Sequence, residues 1–354
     1  MGRGLGVGEE VAVQAFSILS STLAAVLIYL MVRGPFSTRV ALLAALLWVT
    51  YPYNSWLTVQ RYTEQPFLVV LLVIVFALLE ALESPRPRHG LGFSIGVLVG
   101  IAALIRPIAL ALGAPLILMP WLARTGWTSR GRLIFCWWLL LGNLVAVAPW
   151  EYLVWRQTEQ VVPLSTGGPY SIWDGLTITR WTGITGADTF PSLPADVKSL
   201  MQDALTRWQD AEESGKIGSF LGSWFRKRPL VVLKLLAIKA ARSWYAILTH
   251  RFEMYFAVLQ SLYLLWAIRG LGLAWARGGR GANLATMTLV IGLYFWAMTI
   301  VVCSLLRYMV SVMALLFIFC AVAISRGEDV STIRPAGQGV SAQGSERDLR
   351  PPPG

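Results

Sequence analysis

The sequence predicts an all-α, polytopic helical membrane bundle of about nine spans, with one long extracytoplasmic loop that carries amphipathic helices. Three observations predict it. Of 354 residues, 56% are hydrophobic and only 14% charged, against a soluble norm of roughly 45–50% and about 25%. Mean hydropathy is +0.60. The apolar residues also fall in long runs, which is how a chain satisfies its backbone inside lipid.

Those runs lie at about 13–32, 38–58, 66–82, 91–105, 107–123, 133–150, 244–268, 284–302 and 308–325. The fourth and fifth are short and meet at Arg106-Pro107, so one kinked helix with a buried arginine is the alternative there. They divide the chain into an N-terminal bundle (1–150), an outer loop (151–243), C-terminal spans (244–325) and a tail (326–354). The tail is rich in Gly, Ser, Pro and charge, and is expected to be disordered.

Short loops orient the bundle. Arg33 and Arg39 share one, Arg86 and Arg88 another, Arg124, Arg130 and Arg132 a third, and Arg269, Arg277 and Arg280 a fourth. With nine alternating spans all four fall on one face, which the positive-inside rule makes cytoplasmic. A multi-pass protein of the cell membrane follows, with its N-terminus outside and its tail in the cytoplasm. The net charge of +11 is then a matter of topology. No nucleic-acid signature accompanies it, and no nucleic-acid partner is expected.

Within the outer loop, Val197, Leu200, Met201, Ala204, Trp208 and Ala211 recur at helical spacing after Pro191 and Pro194, and Gly215 supplies a stop. A second helix is expected over 230–242, opened by Pro229 and carrying Lys234, Lys239 and Arg242. The first reads as lying on the membrane surface or against the bundle, the second as an interfacial segment leading into the span at Trp244. Residues 163–170, containing Gly167-Gly168, read as a tight turn whose backbone approaches a ligand, or as an ordinary loop.

Three places on the outer face suit chemistry. Arg61 and Glu64 lie at a span mouth before Pro66. A guanidinium there suits a phosphate, and a carboxylate suits a sugar hydroxyl or a paired cation; a solvated turn is the plain alternative. Arg106 sits among apolar residues at a helix break, an expensive position unless paired, which calls for a phosphate partner or for snorkelling to the surface. Arg307-Tyr308 opens the last span, as a phosphate ligand or an interfacial anchor. Three cations on one face suit a phosphate headgroup better than a neutral solute. Cys136, Cys303 and Cys320 lie in apolar runs, and only His89 and His250 are present, so no metal site is expected.

Taken in order, these residues resemble a family. Thr63-Glu64-Gln65-Pro66 precedes a span; the run from Gly96 ends in Leu104-Ile105-Arg106-Pro107; Ala148-Pro149-Trp150 and Val162-Pro163-Leu164-Ser165-Thr166-Gly167-Gly168 follow. Then come Arg228-Pro229-Leu230, Lys239, Arg242, Trp244 and Arg307-Tyr308. The set, over roughly 11–325, is similar to the GT-C membrane glycosyltransferases, in particular bacterial relatives of protein O-mannosyltransferases and aminoarabinose transferases. The resemblance implies inverting transfer of a sugar from a polyprenyl-phosphate carrier to an extracytoplasmic lipid, glycan or protein acceptor, at a bacterial inner membrane, with no cofactor.

By the same resemblance Arg61, Arg106 and Arg307 are candidate ligands of the donor phosphate and Glu64 a candidate catalytic carboxylate. Tyr170, Trp173 and Asp174 are candidates on the acceptor side. The family's first helix and first outer loop, which carries the principal acid, have no counterpart beyond Glu9 and Glu10, so that acid is expected upstream of Met1. Leu153-Val154 stand where the family shows Arg-Asn, and the prolines after its final Arg-Tyr are missing. A transporter, a lipid flippase or a catalytically inactive homologue are the rival readings. A transporter would show repeated halves, and no internal repeat is evident.

Overall fold

A computed structural model of the chain describes residues 8–60, 62–123, 125–159, 164, 168–177, 192–213, 217–247 and 252–325. They form fourteen α-helices: α1 (Glu9–Arg33), α2 (Thr38–Thr50), α3 (Pro52–Val59), α4 (Glu64–Glu83), α5 (His89–Ile105), α6 (Gly113–Leu122), α7 (Ser129–Thr158), α8 (Gly168–Thr177), α9 (Ala195–Glu213), α10 (Ile217–Lys227), α11 (Pro229–Arg242), α12 (Glu253–Arg277), α13 (Gly279–Val301) and α14 (Leu306–Ile324). No strand occurs among the described residues.

Six helices (α1, α4, α7, α12, α13, α14) are long and apolar enough to cross a membrane. The pair α2–α3 would be a seventh span if its 55° bend is one broken crossing, and α5 and 107–122 are shorter apolar pieces. The bend has a local cause. Pro52 at the first turn of α3 forces Tyr51 into an extended conformation, so the α2 ladder stops there. The same chemistry breaks the chain at Arg106-Pro107, where a 3-10 turn (107–109) separates α5 from α6.

The centre of the bundle is α14, which is apolar all round and buried along almost its full length. It packs on α12, α2, α13 and α4. Beside it α5 and α7 form the closest helix pair, for a reason visible in the glycines. A Cβ at Gly96 would lie 2.0 Å from the Leu139 carbonyl, and one at Gly142 2.1 Å from that of Phe93. Small residues let the two backbones touch, so packing holds them together where lipid offers no hydrophobic drive.

Contacts gather the basic loops at one end. Arg280 pairs with Glu83 at 2.7 Å and also with Glu80, and it lies against Gly34. Arg277 stands over the Phe36 ring. The Trp127 indole donates to the Ser84 carbonyl, and Pro87 abuts Gly131. Loops 34–37, 84–88, 125–128 and the Gly278 turn therefore share one face, as the charge pattern requires.

The outer segment differs from its expected form in several details. The helix α7 runs eight residues past Trp150 to Thr158, because nothing after Pro149 stops it until Glu159 takes a left-handed conformation (φ 56°). The helix expected from 244 begins only at Glu253, since residues 243–247 turn and are tied to the core by Leu306 N–H donating to the Ala246 carbonyl (2.8 Å). The two expected interfacial helices are α9 and α11. Two more, α8 and α10, were not expected: α8 starts at Gly168, where a turn was anticipated, and residues 165–167 lie outside the described ones. The side of α9 that carries Val197, Leu200, Met201, Ala204 and Trp208 forms a small core with Phe220 and Trp224 of α10 and Val232 and Leu235 of α11. The tail, 326–354, lies outside the described residues.

Candidate functional site: a buried carboxylate between two guanidiniums

Three helix ends meet at the face opposite the basic loops. Glu64 is the first residue of α4, where an acidic side chain suits the positive end of the helix dipole. Arg106 follows the last turn of α5; Pro107 drives it into an extended conformation (φ −143°, ψ 112°) while its N–H still closes the helix on Ala102. Arg307 is the second residue of α14, just after extended Leu305.

The three side chains converge on one atom. Glu64 Oε1 accepts from Arg307 Nε at 3.0 Å and forms an ion pair with Arg106 Nη1 at 3.2 Å. Glu64 is 1% exposed, and its second oxygen, Oε2, is buried with no hydrogen-bond partner among the described residues. Aromatic faces take the place of water around the cations. Arg106 stands 5.1 Å from the Tyr308 ring centroid and 5.7 Å from that of Phe67. Arg307 lies 4.4 Å from Tyr62 and 5.1 Å from Tyr308. Such contacts favour a desolvated guanidinium. Among the described residues, one carboxylate faces two guanidiniums, which leaves one positive charge in excess at a buried place.

Next to Glu64, Gln65 Nε2 donates to Asn54 Oδ1 (2.8 Å), while Asn54 Nδ2 donates to Ser21 Oγ (3.2 Å) and to the Trp48 carbonyl (3.1 Å). This network fixes the first turn of α4 against α1–α3. Arg61 lies outside the described residues, as do the side chains of Tyr170 and Asp174. Trp173 is half-buried and packs on the small outer core.

The outer segment nevertheless reaches the site through the turn before α14. Lys239, buried on α11, donates from Nζ to the carbonyls of Val301 (3.3 Å) and Val302 (3.2 Å), the open end of α13. On the same turn, α8 sits so close that a Cβ on Gly175 would lie 1.3 Å from the Val302 oxygen. Three residues further on, Arg242 holds Glu253 through two hydrogen bonds of 3.2 and 2.7 Å, with both side chains at most 1% exposed. Burial pushes the Lys239 ammonium down to about 8. Sequence reasoning placed Lys239 and Arg242 on an interfacial helix and passed over Glu253. Its signal was available: Glu253 is the only acidic residue between Glu213 and Glu328.

Among the described residues no group of His, Cys, Asp and Glu is arranged to hold a metal ion. Residues 4–155 match the family model of dolichyl-phosphate-mannose-protein mannosyltransferases. The match covers under half of the chain, includes Glu64 and Arg106, and ends well before Arg307. No curated protein and no solved structure matches the chain.

Proposed function

We propose that this chain is a membrane glycosyltransferase that takes a sugar from a polyprenyl-phosphate carrier, with Arg106 and Arg307 as ligands of the carrier phosphate. The observation that carries the reading is the convergence of these two guanidiniums on Glu64 at a buried, net-positive site. The match of residues 4–155 to a family named for a polyprenol-type phosphate-sugar donor supports it. In the transfer, the acceptor's nucleophile attacks the anomeric carbon as the carbon–oxygen bond to phosphate breaks. The bonding electrons leave on the phosphate, where fixed cations stabilise the growing charge. Arg61, immediately before Tyr62, is proposed as a third cation of the same mouth, and α8 with Tyr170, Trp173 and Asp174 as an edge of the acceptor path.

Glu64 takes a different role here from the catalytic carboxylate that the resemblance suggests. Inversion puts the nucleophile and the leaving phosphate on opposite sides of the anomeric carbon. A carboxylate that touches both phosphate ligands therefore stands on the leaving side, away from the proton to be removed. We propose that Glu64 positions the guanidiniums and that the base lies elsewhere. In this reading the acceptor is an extracytoplasmic lipid, glycan or protein.

The test is release of polyprenyl phosphate from a polyprenyl-phosphate sugar by the purified chain in lipid. Arg106→Ala and Arg307→Ala should raise the donor KM strongly. Glu64→Gln should raise KM and leave the shape of the pH–rate profile unchanged. A donor KM untouched by both arginine variants overturns the phosphate assignment, and a lost pH limb in Glu64→Gln restores it as the base.

A further inference from the structure

From Ile217 to Arg242 the chain carries six basic residues and no acidic one. Two of the six, Lys239 and Arg242, are buried in the contacts described above. Lys234 is taken by Asp196 of α9, at 2.6 Å. The other three are consecutive: Arg226, Lys227 and Arg228, all exposed, at the corner between α10 and α11. Neither Arg226 nor Lys227 has an ion-pair partner among the described residues, and Arg228 meets only the Ser199 hydroxyl, at 3.5 Å. The other α9 acid facing this corner, Asp203, is occupied by Arg207 (3.5 Å) and by the Trp224 indole (3.0 Å). Among the described residues, nothing cancels the charge of this corner.

Large apolar side chains stand open beside it. Phe225 is 50% exposed, Leu230 72% and Leu233 56%, whereas Phe220, Trp224, Val232 and Leu235 of the same two helices turn inward on α9. The far end of the same helix fixes its depth. The Trp296 indole donates to the Ala240 carbonyl at 2.9 Å, and the Trp244 and Trp296 rings approach to 6.2 Å. Trp296 lies five residues inside the end of α13, about 7 Å down a helix that is long enough to span. The C-terminal end of α11 is therefore level with the top of the bundle's apolar zone. Ala237 and Ala241 continue the exposed side begun by Leu230 and Leu233.

We propose that the α10–α11 corner is a docking surface for acidic phospholipid. Phe225, Leu230 and Leu233 enter the apolar margin of the leaflet, and Arg226, Lys227 and Arg228 take headgroup phosphates. An uncancelled cationic cluster flanking exposed apolar side chains at interface depth is the arrangement that binds an anionic surface. Each such cation is worth up to about fivefold in affinity for it. The contact would hold the outer segment, and with it Lys239 and the turn before Arg307, at a fixed height above the bundle. It stands or falls independently of any sugar-transfer reading.

The test needs no sugar donor. A fluorophore placed on Ala237→Cys, in full-length protein reconstituted into phosphatidylcholine vesicles containing phosphatidylglycerol, is quenched by spin-labelled lipids of either headgroup. The native cysteines are buried, which directs labelling to the new thiol. The expected result is several-fold stronger quenching by spin-labelled phosphatidylglycerol than by spin-labelled phosphatidylcholine. That preference should vanish in Arg226→Gln/Lys227→Gln/Arg228→Gln, whose substitutions are all on the surface. No quenching by either lipid would place the corner in water, in reach of a soluble acidic partner instead, and overturn the proposal. So would equal or weaker quenching by phosphatidylglycerol in the wild type, or a preference that survives in the triple variant.

Discussion

Glu64 is held by two arginines that differ in kind, and the difference can be measured. Arg307 presents Nε to the carboxylate and lays its plane 4.4 Å from the Tyr62 ring. Lysine has neither the fork nor the flat face, so Arg307→Lys is not a conservative change at this site. Turnover should fall about a hundredfold, the scale of losing one pre-oriented donor to a developing anion. An Arg307→Lys enzyme within threefold of the wild type would show that charge alone suffices there. Arg106→Ala has a second consequence, because it leaves Glu64 buried with half its compensation. Breaking such a contact costs about 3 kcal/mol or more, which a chemical-denaturation midpoint in detergent will register. Much of this was legible in the sequence: a lone carboxylate and two arginines at span mouths, on one face, is a pattern that hydropathy and the positive-inside rule expose. That all three meet on one oxygen was not. Convergence depends on where α4, α5 and α14 end relative to one another in space, and no spacing along the chain encodes it.

At the scale of the element, the α13–α14 turn is the joint between the outer segment and the site, and Lys239 is its fastener. An ammonium on the open carbonyls of a helix C-terminus completes its hydrogen bonding and opposes its dipole. Burial lowers the Lys239 pKa from 10.5 to about 8, and the titratable neighbour in the turn is Cys303. The folded chain therefore releases this proton near pH 8, whereas the unfolded chain keeps it until about 10.5. Between those values the unfolded state binds more protons, and Lys239 contributes stability that rises with pH. Turnover should move the opposite way, falling as the charge on the clamp is lost. Thermal midpoints and rates collected from pH 7 upward will show the divergence, and Lys239→Met should remove it from both curves. Parallel curves in the wild type would mean that the turn does not depend on the charge. The sequence disclosed α9 and α11 because their apolar residues recur over three turns or more. It hid α8 and α10, which are ten and eleven residues long and interrupted by glycine. At Gly175 the missing side chain is what lets α8 reach Val302, so the residue that weakens the helical pattern is the one that makes the contact.

On the scale of the whole molecule, α4 ties the two faces together, with Glu64 in the arginine pair at one end and Glu80 and Glu83 on Arg280 at the other. The apolar runs and charged loops foretold that division, since a chain in lipid must sort its charges to the ends of its helices. Contacts among the loops bear it out, but which face meets the cytoplasm is set by the cell's handling of Lys and Arg, not by packing. If the rule holds, the end with Arg33, Arg86, Arg88, Arg277 and Arg280 is cytoplasmic, and α8–α11 lie outside. Single cysteines at two exposed positions decide it: Arg86→Cys between α4 and α5, and Gly218→Cys on α10, where a side chain would meet nothing within 4 Å. In intact cells a membrane-impermeant maleimide should label Gly218→Cys and spare Arg86→Cys until the membrane is opened. The reverse pattern would put the arginine pair in the cytoplasm and rule out transfer to an extracytoplasmic acceptor, whatever the chemistry at Glu64. Labelling of both in intact cells would mean that the chain does not insert in a single orientation. The experiment thus bears on the proposed reaction more heavily than any substitution in the site, because a donor phosphate held on the wrong side of the bilayer has no acceptor to meet.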